Sequence, residues 1–172
     1  MTPQTPWVLR KFHFDFELTQ FPVIFSRLEG SIFRIGGLLA NADEKRTGTT
    51  GRGWTVKQHL GHLTDLEELW WKRLDDFAKG KAELTAADMG NEKTEKADHN
   101  AMPLQELVRQ FTLERQRLLE TIFAFDGDYL SKTALHPRLK VPMRLIDSLY
   151  FAAEHDDHHI AALTTLLRTP AG

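Results

Sequence analysis

The sequence contains no cysteine. Disulfides, thiolate metal ligands and a cysteine nucleophile are thereby excluded together, so any transition-metal chemistry must use imidazole and oxygen donors. No apolar run approaches the roughly 20 residues that span a bilayer, and the opening "MTPQTPWVLRKFHFDF" lacks the continuous apolar stretch of a signal peptide. A cytoplasmic protein with no membrane partner is expected. An excess of one charge is also missing. The formal net charge is −2 and the basic residues are interspersed with acids, so no basic stripe supports nucleic-acid binding. Internal repeats, low-complexity tracts and clear strand patterns are absent too. What is present is ordinary: 172 residues, 41% apolar and 27% charged, suit one domain with a sizeable core.

Four stretches carry the helical period. Between Thr19 and Leu39, residues Phe21, Ile24, Phe25, Leu28, Ile32, Ile35 and Leu39 recur at steps of three and four. Thr19 is the expected N-cap and Pro22 falls in the first turn. The polar "NADEKRTGTTGRG" of residues 41–53 reads as a loop. Thr55 followed by Gln58 predicts a capping box, opening a second helix that ends near Gly80 with Lys79 in its last turn. The polar stretch "TAADMGNEKTEKADHNAM" is long for a simple connection. A third helix opens at Pro103 and reaches about Phe123, with Leu104, Leu107, Val108, Phe111, Leu118 and Ile122 as its apolar face. After the turn-rich "DGDYLSKTALHPRLKVP", a fourth opens at Pro142 and runs to about Arg168. Four helices and no sheet predict an all-α four-helix bundle with long connecting loops. Residues 1–172 form one domain, with 1–18 as an N-terminal arm whose Phe12, Phe14 and Phe16 close over the core. Two connections are long enough to leave the helix order open.

The chemistry concentrates in "EHDDHHIAAL", residues 154–163. His155 and His159 are four apart and share one helix face. That face also holds Ser148, Phe151, Ala152, Ala162 and Leu166, so it is the side that meets the core. Asp156 and Asp157 are expected to turn toward solvent, with Glu154 and His158 flanking the line. The spacing leaves two readings open: a metal-binding pair, or a hydrogen-bonded pair of buried histidines. His62, on the second helix, shares a face with Thr55, Leu66 and Leu69 and is the candidate third ligand. Gly61 gives room for close approach, and Asp65 is placed to hold the free ring nitrogen of a ligating histidine. His59 reads as a partly exposed helix residue, and His99 and His136 as solvated loop histidines, although each could reach the pocket. Trp70 is expected inside, with Trp71 at a helix or subunit contact or partly in the core.

Two segments resemble a known family. "GWTVKQHLGHLTDLEE" is similar to the Trp-Ser/Thr signature that ends in His-Leu and opens the second helix of the DinB/YfiT-like superfamily, and "AAEHDDHHIAAL" is similar to its second signature, a helical His-x-x-x-His near the C-terminus. The resemblance covers roughly Thr19 to Arg168 and implies a four-helix bundle of unusual connectivity, commonly a homodimer. It implies a metal held by three histidines, which fall on His62, His155 and His159, with nickel, zinc or iron as the ion. Characterised relatives of that kind include transferases and isomerases that use a low-molecular-weight thiol such as bacillithiol or mycothiol as cosubstrate. Three ligands leave an open position, the pattern of catalytic sites. A metal-dependent hydrolase or a thiol-dependent S-transferase acting on a small-molecule substrate is therefore expected. A non-catalytic metal-binding or stress-response protein is the alternative. Either reaction needs a nearby proton acceptor. Asp65, Glu154 and His158 are the candidates, and Asp65 fits an orienting role better.

Overall fold

The computed structural model describes residues 4–49 and 53–168. Parts of the expected N-terminal arm (residues 1–3) and of the expected loop (residues 50–52) lie outside the described residues. Helix α1, Phe21–Leu39, buries Ile24, Leu28, Ser31, Ile35 and Leu39, one stripe at the helical period. Its start differs from expectation. A short 3-10 turn, Leu18–Gln20, precedes it, and Gln20 rather than Thr19 occupies the cap position, with no side-chain bond. A single turn, α2 (Glu44–Thr47), interrupts the loop that follows. Helix α3, Val56–Ala78, opens on the expected capping box: the Gln58 amide donates to Thr55 Oγ1 and the Thr55 amide to Gln58 Oε1, each at 3.0 Å. It closes at Lys79, after which Gly80 takes a positive φ of 63°.

A short helix, α4 (Glu92–Lys96), lies in the long connection and packs on α3. Helix α5 spans Leu104–Ile122, and the turn α6 spans Gly127–Leu130. Between α6 and the last helix the chain forms a small sheet, where none was expected, and no helix opens at Pro142. Strands β1 (Thr133–Leu135) and β2 (Pro142–Arg144) pair antiparallel, with Leu135 opposite Pro142. Pro142 therefore sits in a hairpin, and α7 begins three residues later, spanning Leu145–Arg168. The switch occurs where Leu145 N–H donates to Lys132 O and the Asp147 carboxylate takes the Arg144 N–H, both at 2.8 Å. That second bond is the N3 half of a capping box.

Helix α1 packs against α5 and α7, and α3 packs against the same two. Long helices consecutive in the chain, α1 and α3 and again α5 and α7, thus face each other across the core, which is the unusual order that the two long connections permit. No helix among the described residues is long and apolar enough to cross a membrane. Phe12, Phe14 and Phe16 pack half-buried on the core, as expected, and Arg144 holds the arm by donating to the Phe14 and Phe16 carbonyls at 3.1 and 2.9 Å. Trp70 is buried and Trp71 half-buried against the same core.

One polar knot joins all four long helices. Arg115 of α5 is fully buried and donates to Glu67 of α3 (2.9 and 2.6 Å), to both oxygens of Asp156 of α7, and to the Leu28 carbonyl of α1 at 3.4 Å. Ser31 of α1 adds a 2.7 Å bond to Asp156. The expectation that Asp156 faces solvent is therefore wrong; its exposure is 0%. The α7 helix packs on both α1 and α3, so its buried arc is wider than the His155/His159 line, and the Arg115 guanidinium replaces the hydration that the acid loses. Asp157 does turn outward, to a half-exposed position bonded to Arg27 and Arg34.

Candidate metal centre

Six of the protein's eight histidines line one cavity of about 530 Å³. Its centre is built by α3 and α7. His62, His155 and His159 are each about 5% exposed, and each offers a ring nitrogen such that all three nitrogens lie within 4.8 Å of one another. The Nε2 atoms of His155 and His159 are 3.2 Å apart. Two imidazoles sharing an ion at about 2.0–2.1 Å in tetrahedral geometry have a similar nitrogen separation.

The other ring nitrogens decide which face of each ring is free. The Thr94 hydroxyl donates its single proton to Asp65 Oδ2 (2.9 Å), so its oxygen accepts from His62 Nδ1 at 3.1 Å. The lone pair of His62 is thereby left on Nε2. His159 Nδ1 lies 2.8 Å from His59 Nδ1; with its own lone pair on Nε2, His159 donates to His59. Outer partners of this kind orient metal-binding imidazoles. His155 Nδ1 is buried without a partner among the described residues. Burial is the main reason these rings stay neutral. It takes His62 down to about 4 against the opposing charge of Asp65, His59 to about 4, and His155 and His159 well below the ordinary histidine range. Neutral imidazole is the form that binds a metal. The donor set thus fits a borderline divalent ion.

Aromatic rings form the walls. Trp54 lies 4.7 Å from His62 and, nearly parallel, 6.1 Å from His159 (centroid distances). Trp7, from the arm, meets His155 edge-on at 4.9 Å. Phe151, Leu66 and Leu69 complete an apolar lining.

Several expectations are revised. Asp65 does not touch a histidine of the central trio; it reaches His62 through Thr94, and its direct histidine partner is His99, at 2.9 Å. His99 and His136 are not solvated: they are 7% and 2% exposed. His59 is a partly exposed helix residue, as expected, but its ring is also a direct neighbour of His159. Glu154 lies outside the cavity lining, paired with Arg10 and Arg27. His158 does line the cavity, its Nδ1 engaged by Gln4 Nε2 at 2.9 Å, and burial, followed by the Arg10 charge, lowers its basicity.

Gly61 carried the one signal that could have located His99. A Cβ there would stand 2.3 Å from the His99 ring, so the glycine makes room for a histidine rather than for a helix. Gly61→Ala is expected to push His99 off Asp65 and to cost about 1–3 kcal/mol, an overpacking penalty, read as a fall in the unfolding midpoint. A midpoint within experimental error of wild type would contradict this close packing.

A helical bundle that gathers three buried histidines from two helices at the base of an aromatic-walled cavity defines the class: a helical protein with an internal imidazole cluster. The model of the DinB superfamily matches residues 29–163, and the chain belongs to that superfamily. Among solved structures, YfiT from Bacillus subtilis, described as a probable metal-dependent hydrolase with an unusual four-helix bundle topology, shares the fold: TM-score 0.80 at 20% identity over 92% of each chain. No curated protein matches the chain.

Proposed function

We propose that the protein is a metal-dependent enzyme of small-molecule substrates, with hydrolysis as its reaction. The observation that carries this reading is the convergence of His62, His155 and His159 at a cavity large enough for a small organic molecule. The similarity in fold to YfiT, described as a probable metal-dependent hydrolase, points the same way. Bound there, a zinc, nickel or iron ion supplies a Lewis acid that polarises an electrophile and acidifies a water.

The protein's own groups have separate tasks. His62, His155 and His159 hold the ion. Thr94 and Asp65 fix the His62 ring, and His59 fixes that of His159, so these are positioning residues. His158 takes the role of proton acceptor, exchanging the Gln4 hydrogen bond at Nδ1 for the proton, since its ring borders the cavity while Glu154 is occupied elsewhere. Glu154 instead anchors Arg10, whose guanidinium lies 5.3 Å from the Trp7 ring centroid, and Trp7 closes over His155. The aromatic walls keep bulk water from the reacting atoms.

The test is turnover of a panel of small esters and amides by the metal-loaded protein, with and without bacillithiol, mycothiol or glutathione. Turnover without thiol, abolished by chelation and restored by metal, is the expected result. Turnover only with a thiol would replace hydrolysis by S-transfer, and no metal-dependent turnover in either arm would leave a metal-binding protein without catalysis.

A further inference from the structure

The end of the cavity lined by Arg73, Arg138 and His136 is not used by the histidine cluster. Three polar atoms there are buried without a hydrogen-bond partner among the described residues: Arg73 Nη1, Arg138 Nη2 and His136 Nε2. An unsatisfied buried donor is costly, so three at one wall call for a ligand.

Each is held in place by its other atoms. Arg73, 2% exposed on α3, donates from Nε to the Thr85 carbonyl at 3.1 Å and lies against Trp70. Arg138 donates from Nη1 to the Val8 carbonyl at 3.3 Å and lies over Phe151. His136 Nδ1 accepts the amides of Arg138 and Leu139, at 3.2 and 3.1 Å. A neutral imidazole that accepts at Nδ1 carries its proton on Nε2, so His136 Nε2 is a third donor. Burial first, then the Arg73 and Arg138 charges, keeps that ring neutral, at about 3. The Leu84 amide donates to the Leu135 carbonyl at 3.0 Å, which sets Thr85, and with it the Arg73 side chain, alongside the strand that leads into His136 and Arg138.

The counter-charges are spoken for. Neither arginine forms an ion pair with a carboxylate among the described residues. Asp76, whose charge acts on Arg73, is paired with Lys81 and accepts the Thr85 amide. Asp88, the one carboxylate in the cavity lining, accepts the Gly90 and Glu92 amides. The wall is thus cationic, donor-rich and apolar around its edge.

We propose that Arg73, Arg138 and His136 form an oxyanion cradle that binds the carboxylate or phosphate of a small organic substrate and presents the rest of that molecule to the histidine cluster. This rests on, and deepens, the small-molecule reading above by naming the substrate class. Two guanidiniums and an imidazole N–H suit either anion, and the Trp70, Phe151 and Trp7 rings suit an aromatic or aliphatic body.

The test is titration of the protein with benzoate, phenyl phosphate and the neutral benzamide, read by the fluorescence of the cavity tryptophans or by calorimetry. Benzoate or phenyl phosphate is expected to bind, and the tighter of the two identifies the anion. Benzamide is expected to bind more weakly than either. Arg138→Gln, on the hairpin loop, is expected to weaken the anion by about 10-fold or more, the loss of one charged hydrogen bond, with an unchanged circular dichroism spectrum. Arg73→Lys, which keeps the charge but loses the fork, is the second variant and is expected to weaken it as well. Equal affinity in wild type and both folded variants, benzamide binding as tightly as the anions, or no binding of either anion overturns the proposal.

A parallel titration of His155→Ala separates the two readings. Arginine-dependent anion binding in that variant supports the cradle whatever becomes of the metal. Anion binding lost in His155→Ala but unchanged in Arg138→Gln overturns the cradle and assigns the anion to the histidine cluster.

Discussion

His155→Ala is expected to lose bound metal almost completely, as measured by elemental analysis of the purified protein, and His62→Ala and His159→Ala are expected to match it. Removing even an outer partner of a metal ligand typically costs 10–100-fold in affinity, so loss of a ligand itself should exceed about 100-fold. The outer partners supply the gradation. Thr94→Val leaves His62 without its acceptor and uncouples it from Asp65, and His59→Ala does the same to His159; both are expected to weaken metal binding by about 10-fold while leaving stoichiometric metal at saturating concentration. That ranking separates a metal centre from a merely buried histidine pair. If the histidines were only structural, wild type would hold negligible metal, and His155→Ala would differ from it in unfolding midpoint alone.

Arg115→Met is expected to destabilise the fold by about 3–5 kcal/mol, the cost of stranding buried charge. The side chain is fully buried between Glu67 and Asp156, and its loss leaves two carboxyls with no cation in the core. At about 2–4 °C per kcal/mol for a chain of this size, the midpoint should fall by about 10 °C. A variant within 1 °C of wild type would mean that the knot contributes nothing to stability. The same knot predicts a pH dependence. One guanidinium serves two buried acids, so it stays charged, while burial pushes the Glu67 carboxyl up to about 7 against the opposing pull of Arg115. Glu67 is the acid that yields, because its Oε2 has no partner, whereas both Asp156 oxygens are bonded. A carboxyl whose folded pKa lies above its unfolded value near 4.5 favours the native state when protonated. Its contribution is therefore present in acid and is lost as pH rises from about 4.5 to 7. Glu67→Gln is expected to flatten stability over that window, measured as denaturation midpoints at pH 5, 6, 7 and 8; an unchanged slope would place the titrating group elsewhere.

Arg115 also shows how a readable signal is missed. It stands four residues after Phe111 and three before Leu118, inside the apolar stripe of α5, and Glu67 stands likewise between Leu63 and Leu74 on α3. A charge in a core stripe announces a buried partner. The Asp156–Asp157 pair alone does not distinguish the acid that reaches such a partner, Asp156, from the one that meets the surface arginines, Asp157. The hairpin at 133–144 was masked by Pro142, whose fixed φ suits a helix start and an edge strand equally.

Local sequence by itself determined the four long helices, the Thr55–Gln58 cap and the shared faces that carry His62, His155 and His159, because helical period and capping depend on neighbours three and four residues apart. Tertiary structure decided the rest. It brought α3 and α7 together, so that the three rings converge, it set His59 against His159, and it buried His99 and His136, which come from two connections with no periodic signal. It also set Arg73 and Arg138, 65 positions apart in the chain, on one cavity wall. Burial, tautomer and unmet hydrogen bonds depend on partners distant in sequence, and only the packed chain supplies them.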